Sequence, residues 1–102
     1  MAHTHQVRFE WNPAKDRENR RKHGLTFAEA KELFLSDADV LEIFDEAHSE
    51  TEERFISVGP IQRGLVIVVW TEPRDELVRI ISARFASQEE TRLYRKHLGA
   101  KR

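Results

Sequence analysis

Leu65-Val66-Ile67-Val68-Val69-Trp70 is the stretch on which the fold turns. Six consecutive apolar residues, four of them β-branched, leave no polar alternate to face water. A strand of this kind is apolar on both faces, so it belongs in the middle of a sheet with cover on each side. It is also the longest apolar run of the chain, too short to cross a bilayer.

Strand-like runs at 7–11, 40–44, 54–58 and 77–83 surround it. Val7-Arg8-Phe9-Glu10-Trp11 alternates apolar and polar, the pattern of a half-buried strand. Turn-forming residues at 59–64 and 72–75 separate the later runs, and joins this short predict antiparallel pairing. Asn12-Pro13 supplies an N-cap and a first-turn proline for a helix over 14–23, which Gly24 ends. Thr26 and Glu29 have the spacing of a capping box. Behind them Phe27, Ala30, Leu33 and Phe34 recur at helical intervals up to about 36–37. Ser87 and Glu90 open a last helix reaching about residue 98. The order β-α-α-β-β-β-β-α is that of an α+β fold, a mostly antiparallel twisted sheet with helices packed on it. The 102 residues make one domain, with 1–6 expected as a mobile N-terminus.

The net charge of −1 argues against an obligate nucleic-acid binder, yet it hides a partition. Residues 36–53 hold eight acids and no Lys or Arg, which leaves 17 bases against ten acids elsewhere. The bases gather at 15–23 and from 79 to the C-terminus. If the fold joins those regions, a neutral chain presents a positive face suited to a polyanion; otherwise the charges are solvated helix faces. With no cysteine there are no disulfides or thiolate metal sites, which fits a reducing compartment. The N-terminus has no charged segment followed by an apolar one, so no secretory signal is read there, and a cytoplasmic location is expected.

Several chemistries lack their residues. The four glycines are scattered, so no phosphate-cradling loop is present, and no Gly-x-Ser-x-Gly elbow exists. His3 and His5 form only a pair, where a metal site needs three or four convergent ligands. No metal and no cofactor are expected.

What remains is a surplus of fixed cations. Arg79 interrupts an apolar strand with the parity of Ile81 and Ala83, and an arginine at a covered position is either paired or lines a cleft. Arg84 has the opposite parity. The two point the same way only across a β-bulge or if Arg84 lies beyond the strand end. Salt bridges to the acidic segment would satisfy both, and Arg54 has Glu52 and Glu53 as nearby partners. Lys22 and His23 close the first helix, where basic groups favour the macrodipole with no further role. Asn19 and His23 lie one turn apart, with Lys15 and Lys22 close by, and such a face is either wet or phosphate-reading. Tyr94 is a core contact or a hydroxyl at a cleft mouth.

These residues fall in the order of a known family. Phe9-Glu10-Trp11, Asn19 with Lys22-His23-Gly24, Phe27, Ala30, Phe34, Glu53-Arg54, Gly59, the 79–84 run Arg-Ile-Ile-Ser-Ala-Arg, and Glu90 with Tyr94 resemble the BrnT toxins of bacterial BrnT/BrnA type II toxin–antitoxin systems. The resemblance spans roughly residues 8–95; Phe85 departs from it, standing where the family often has a base. It implies a RelE-like ribonuclease toxin that cleaves RNA and halts translation. It also implies a BrnA-type antitoxin as protein partner, with DNA contacted only indirectly, through the antitoxin.

The residue inventory is compatible with that. RNA cleavage without a metal uses the ribose 2′-hydroxyl as an internal nucleophile, leaving the protein to stabilise phosphorane charge and move protons. Arginine suits the first task through its planar, always-charged fork. Arg54, Arg79 and Arg84 are therefore expected at the scissile phosphate, and either His23 or Lys22 as the proton-moving group. Lys15, Asn19, Ser82 and Tyr94 are expected to bind substrate. The competing readings are a degenerate toxin that only binds antitoxin and co-represses, and a plain RNA-binding module.

Overall fold

The structure, a computed structural model, describes residues 7–48 and 52–100. The expected mobile N-terminus and the His3/His5 pair lie outside the described residues. The chain runs β1 (Arg8–Glu10), α1 (Pro13–His23), α2 (Phe27–Ala30), α3 (Glu32–Leu35), β2 (Leu41–Phe44), β3 (Arg54–Ile61), β4 (Gly64–Arg74), β5 (Leu77–Phe85) and α4 (Gln88–Ala100). A 3₁₀ turn, Glu46–His48, follows β2. The sheet order is β1-β5-β4-β3-β2, which puts the all-apolar β4 in the centre. Every pairing is antiparallel except that of β1 with β5.

Both sheet faces are covered, each by a different part of the chain. On one face Leu25, Phe27, Ala30 and Leu33 pack on Val66, Val68, Trp70, Val78, Ile80 and Ala83. On the other, α4 sets Tyr94 and Leu98 against Val58 and Ile67. The helix caps follow the sequence closely. The Asn12 side chain accepts from Ala14 N–H, Gly24 ends α1 at φ 68°, and both expected capping boxes are closed. A left-handed φ is where glycine carries no Cβ penalty.

Four expectations need correcting. The helix expected across 27–36 is two short ones, because Phe34 N–H bonds Lys31 C=O, a tighter i→i+3 step, at 3.0 Å. That step leaves Phe34 edge-on to Trp70, with ring centroids 5.4 Å apart. Gly59-Pro60 is strand rather than turn, and only 62–63 turn. Pro60 lies past the end of β2, on a sheet edge where a missing N–H leaves no ladder bond unmade. Gly59 admits α3 so closely that a Cβ there would stand 2.6 Å from Leu33 Cδ1. The strand expected to stop near 71 continues to Arg74 through a register shift that takes in Pro73. The last helix passes through Gly99 to Ala100.

The parity expected for Arg79 is also overturned. Trp70 pairs with Ile80 but Val69 pairs with Ser82, so Ile81 is an extra residue, a β-bulge. With that residue inserted, Ile80 and Ala83 share the face under α1–α3. Arg79, Ser82 and Arg84 share the other.

Candidate functional site

The strand registers build one row across four strands. Arg54 on β3 lies opposite Thr71 on β4, Thr71 opposite Arg79 on β5, and Arg79 opposite Glu10 on β1. Directly opposed residues stand about 5 Å apart and share a face, so two arginines far apart in the chain flank a single threonine. Thr71 is buried and donates its hydroxyl to Glu53 C=O at 2.7 Å, fixing the loop before Arg54. A cleft of about 480 Å³ opens over this row, and Lys15, Glu52 and Trp11 also line it. The Asn12 cap brings Lys15 there by starting α1 beside β1. Trp11 is held edge-on by Phe27 with centroids 6.1 Å apart.

The electrostatics of the cleft are nearly balanced. Lys15, Arg54 and Arg79 face Glu10 and Glu52. Arg79 Nε donates to Glu10 Oε2 at 2.5 Å, which leaves the terminal nitrogens of its fork for a second oxygen acceptor. The pair is half exposed, so its Coulomb energy is screened and a phosphate oxygen can compete for the arginine.

Arg84 does not join this cleft. Its two terminal nitrogens grip both oxygens of Glu90 at 2.7 and 2.6 Å. Glu90 also accepts from Ser87 N–H, so the arginine staples the end of β5 to the first turn of α4. Hydrogen bonds from Arg84, with those of Ser87 behind them and burial opposing, pull the Glu90 carboxyl down to about 2. Ser82 sits on the same sheet face between Arg79 and Arg84.

Asn19 is a structural group rather than the substrate reader expected of it. It is buried, its amide donates to Leu25 C=O and Ala83 C=O at 2.8 Å each, and its oxygen accepts from Ala83 N–H at 3.0 Å. Tyr94 is likewise buried, and its hydroxyl donates to Asp39 C=O at 2.6 Å rather than facing a cleft. Lys22 and His23 are exposed at the far end of α1, about 10–12 Å along the helix axis from Lys15. Lys22 makes a loose i,i+4 pair with Glu18 at 3.7 Å. Neither lines the cleft.

Glu10 is the site residue that sequence reasoning passed over. Its signal was the alternation of 7–11, which puts Glu10 opposite in parity to Phe9 and Trp11. The parallel β1–β5 pairing that gives it Arg79 leaves no local trace. Among the described residues no group of three or more His, Asp or Glu could hold a metal ion. At the departure noted at Phe85, the guanidinium of Arg63 lies 5.3 Å over the ring, so the β3–β4 turn brings a cation to that place.

Fold and cleft together define a small α+β domain with a cleft in which two arginines, a lysine and two carboxylates converge. Residues 11–90 match the family described as the ribonuclease toxin, BrnT, of type II toxin–antitoxin systems. A crystal structure of the Brucella abortus ribonuclease toxin BrnT is similar at 30% identity and a TM-score of 0.60, covering 80% of this chain and 99% of that one. Among curated proteins none matches. The chain belongs to the BrnT family of ribonuclease toxins, and a type II toxin has a protein antitoxin as partner. Among the described residues no helix is long and apolar enough to cross a membrane.

Proposed function

We propose that this chain is itself an active endoribonuclease that works without a metal, at the cleft over Arg54, Thr71, Arg79 and Glu10. The observation that supports this best is the cross-strand row, which sets two guanidinium groups around a gap on the scale of one phosphodiester. Arg54 and Arg79 bind the phosphate oxygens and stabilise the extra charge as the ribose 2′-oxygen attacks phosphorus. The Glu10 carboxylate takes the 2′-hydroxyl proton. The bond from phosphorus to the 5′-oxygen breaks, and Lys15 delivers a proton to that leaving oxygen. The products are a 2′,3′-cyclic phosphate and a 5′-hydroxyl end. Loss of one charge-stabilising donor of this kind costs about 3–4 kcal/mol of barrier. Ser82, Lys22 and His23 serve flanking nucleotides rather than the reacting bond. The antitoxin is BrnA-like, DNA is contacted only through it, and the setting is the bacterial cytoplasm, where cleavage inhibits translation.

A second reading is an inactive toxin that only binds its antitoxin and co-represses. The Arg79–Glu10 and Arg84–Glu90 pairs, in which carboxylates engage expected phosphate-binding arginines, favour it. Purified chain incubated with RNA in EDTA separates the two. Cleavage that survives chelation, leaves cyclic-phosphate ends and disappears in Arg79→Ala supports the nuclease. No cleavage, a strict Mg²⁺ requirement, or full activity in Arg79→Ala overturns it.

A further inference from the structure

The sheet face opposite the cationic cleft carries a depression of about 450 Å³, and its chemistry is the reverse. Its floor is apolar, built from Leu33, Phe34, Trp70 and Val78. The floor is also rigid: Phe34 stands edge-on to Trp70, Phe55 stacks on Trp70 at 4.8 Å, and the Trp70 indole donates to Ser57 at 2.8 Å. Three carboxylates line the depression, Glu42, Glu72 and Glu76, and among the described residues no Lys or Arg does. All three are exposed, and Glu76 N–H holds the Glu72 carboxylate in place at 3.1 Å. The apolar surface continues past the rim. Phe44 is 45% exposed on β2, the last strand of the sheet, and Leu35 is 62% exposed on α3.

We propose that this acidic-rimmed apolar cleft is a docking surface for the antitoxin, taking a segment in which a bulky apolar anchor is flanked by Lys or Arg. The proposal rests on the chain being a toxin with a protein antitoxin, and does not need the nuclease mechanism. Charge complementarity selects the occupant. Three carboxylates around an apolar floor repel RNA, and they attract a cationic segment whose apolar side chain fills the floor. Side chains that enter such pockets dominate interface energy, while the charged rim sets approach rate and salt dependence. The two clefts lie on opposite faces of the sheet, so a segment held here does not itself enter the cationic cleft.

The test uses the full chain and its cognate antitoxin, purified and titrated by calorimetry. The double variant E42K/E72K is expected to weaken the complex at least thirtyfold, and parent affinity is expected to fall as salt is raised. Cleavage of RNA by the free variant is expected to match the parent, since neither residue touches the cationic cleft. If E42K/E72K misfolds by circular dichroism, the neutral variant E42Q/E72Q is titrated instead, with an expected loss of at least fivefold. Antitoxin binding at parental affinity in the folded variant overturns the proposal. So does sedimentation showing that the parent alone dimerises through this rim. A parent that binds antitoxin through the rim yet cleaves no RNA removes the nuclease reading and leaves the docking surface standing. RNA cleavage by a parent whose antitoxin affinity is the same as that of the folded rim variants does the reverse.

Discussion

Asn19 hydrogen-bonds both peptide groups of Ala83, sixty-four residues further along the chain, and so behaves as one residue of a missing strand. β1 pairs with β5 only over residues 77–79, and beyond that point the β5 edge would expose its backbone. Asn19 replaces the absent ladder from the side of α1, and its second amide hydrogen ties in Leu25 C=O. Asn19→Ala leaves one N–H and two carbonyls buried without a partner, at a cost of about 1–3 kcal/mol for each group not rescued by water. The expected outcome is a urea midpoint lowered by about 1 M or more, given slopes of about 1–3 kcal/mol/M for small domains. An unchanged midpoint would show that the sheet edge does not need this carboxamide.

The placement of α1 separates chemistry from binding. Lys15 lies at the cleft, whereas Lys22 and His23 lie about 10–12 Å further along the helix. Arg79→Ala is expected to lower kcat by about 10²–10³-fold, the scale for one lost charge-stabilising donor. Lys22→Ala and His23→Ala are expected to raise KM a few-fold with kcat near parental, the pattern for groups that reach only flanking phosphates. Single-turnover cleavage of one defined RNA reads the split. A kcat effect for His23→Ala equal to that of Arg79→Ala would move the proton-transfer role back to the histidine.

How far the residues foretell the fold differs from element to element. Caps, the central strand and the helix faces are local, and Asn12, Thr26, Gly24 and the 65–70 run announce them. The bulge at Ile81 is not local. It arises where the row containing Arg79 and Thr71 must stay in register with both β1 and β4, and no residue type in 79–84 marks it. Without the bulge Arg79 looks buried; with it Arg79 faces the cleft. Tyr94 reads as a core contact, which it is, but its hydroxyl and the Asn19 amide also read as candidates for a ligand, because their partners, backbone atoms of Asp39 and Ala83, lie fifty-five and sixty-four residues away.

Arg84 and Glu90 carry a pH signature. Glu90 titrates at about 2 against an ordinary 4.5, so its contribution is complete above the unfolded value and is lost as pH falls through 2. The pair is partly exposed, and solvent screening holds its worth to about 1–2 kcal/mol rather than the full conversion of the shift. Glu90→Gln is therefore expected to lower Tm by about 4–8 °C per kcal/mol lost at pH 7. The gap to the parent should stay constant down to about pH 5 and close progressively toward pH 2. Thermal scans across that range check it. A gap that persists at pH 2 would assign the loss to the Ser87 capping box instead of the ion pair.

Glu10 separates holding an arginine from taking a proton. Its carboxylate bonds Arg79 Nε, and a glutamine of the same shape can still accept that hydrogen bond, although without charge. If Glu10 only orients Arg79, Glu10→Gln leaves kcat within a few-fold of the parent. Removing a carboxylate across the gap from Arg54 and Lys15 would then tighten RNA binding, because the cleft gains a net positive charge. If Glu10 takes the 2′-hydroxyl proton, the same change lowers kcat by about 10²–10⁴-fold, the range for general acid–base catalysis, while RNA still binds more tightly. The second pattern, slow cleavage from a tighter complex, is the expected one. Fluorescence of Trp11 at the cleft reads binding, and single-turnover gels read the rate. Parental kcat in Glu10→Gln would pass the base role to another group at the cleft.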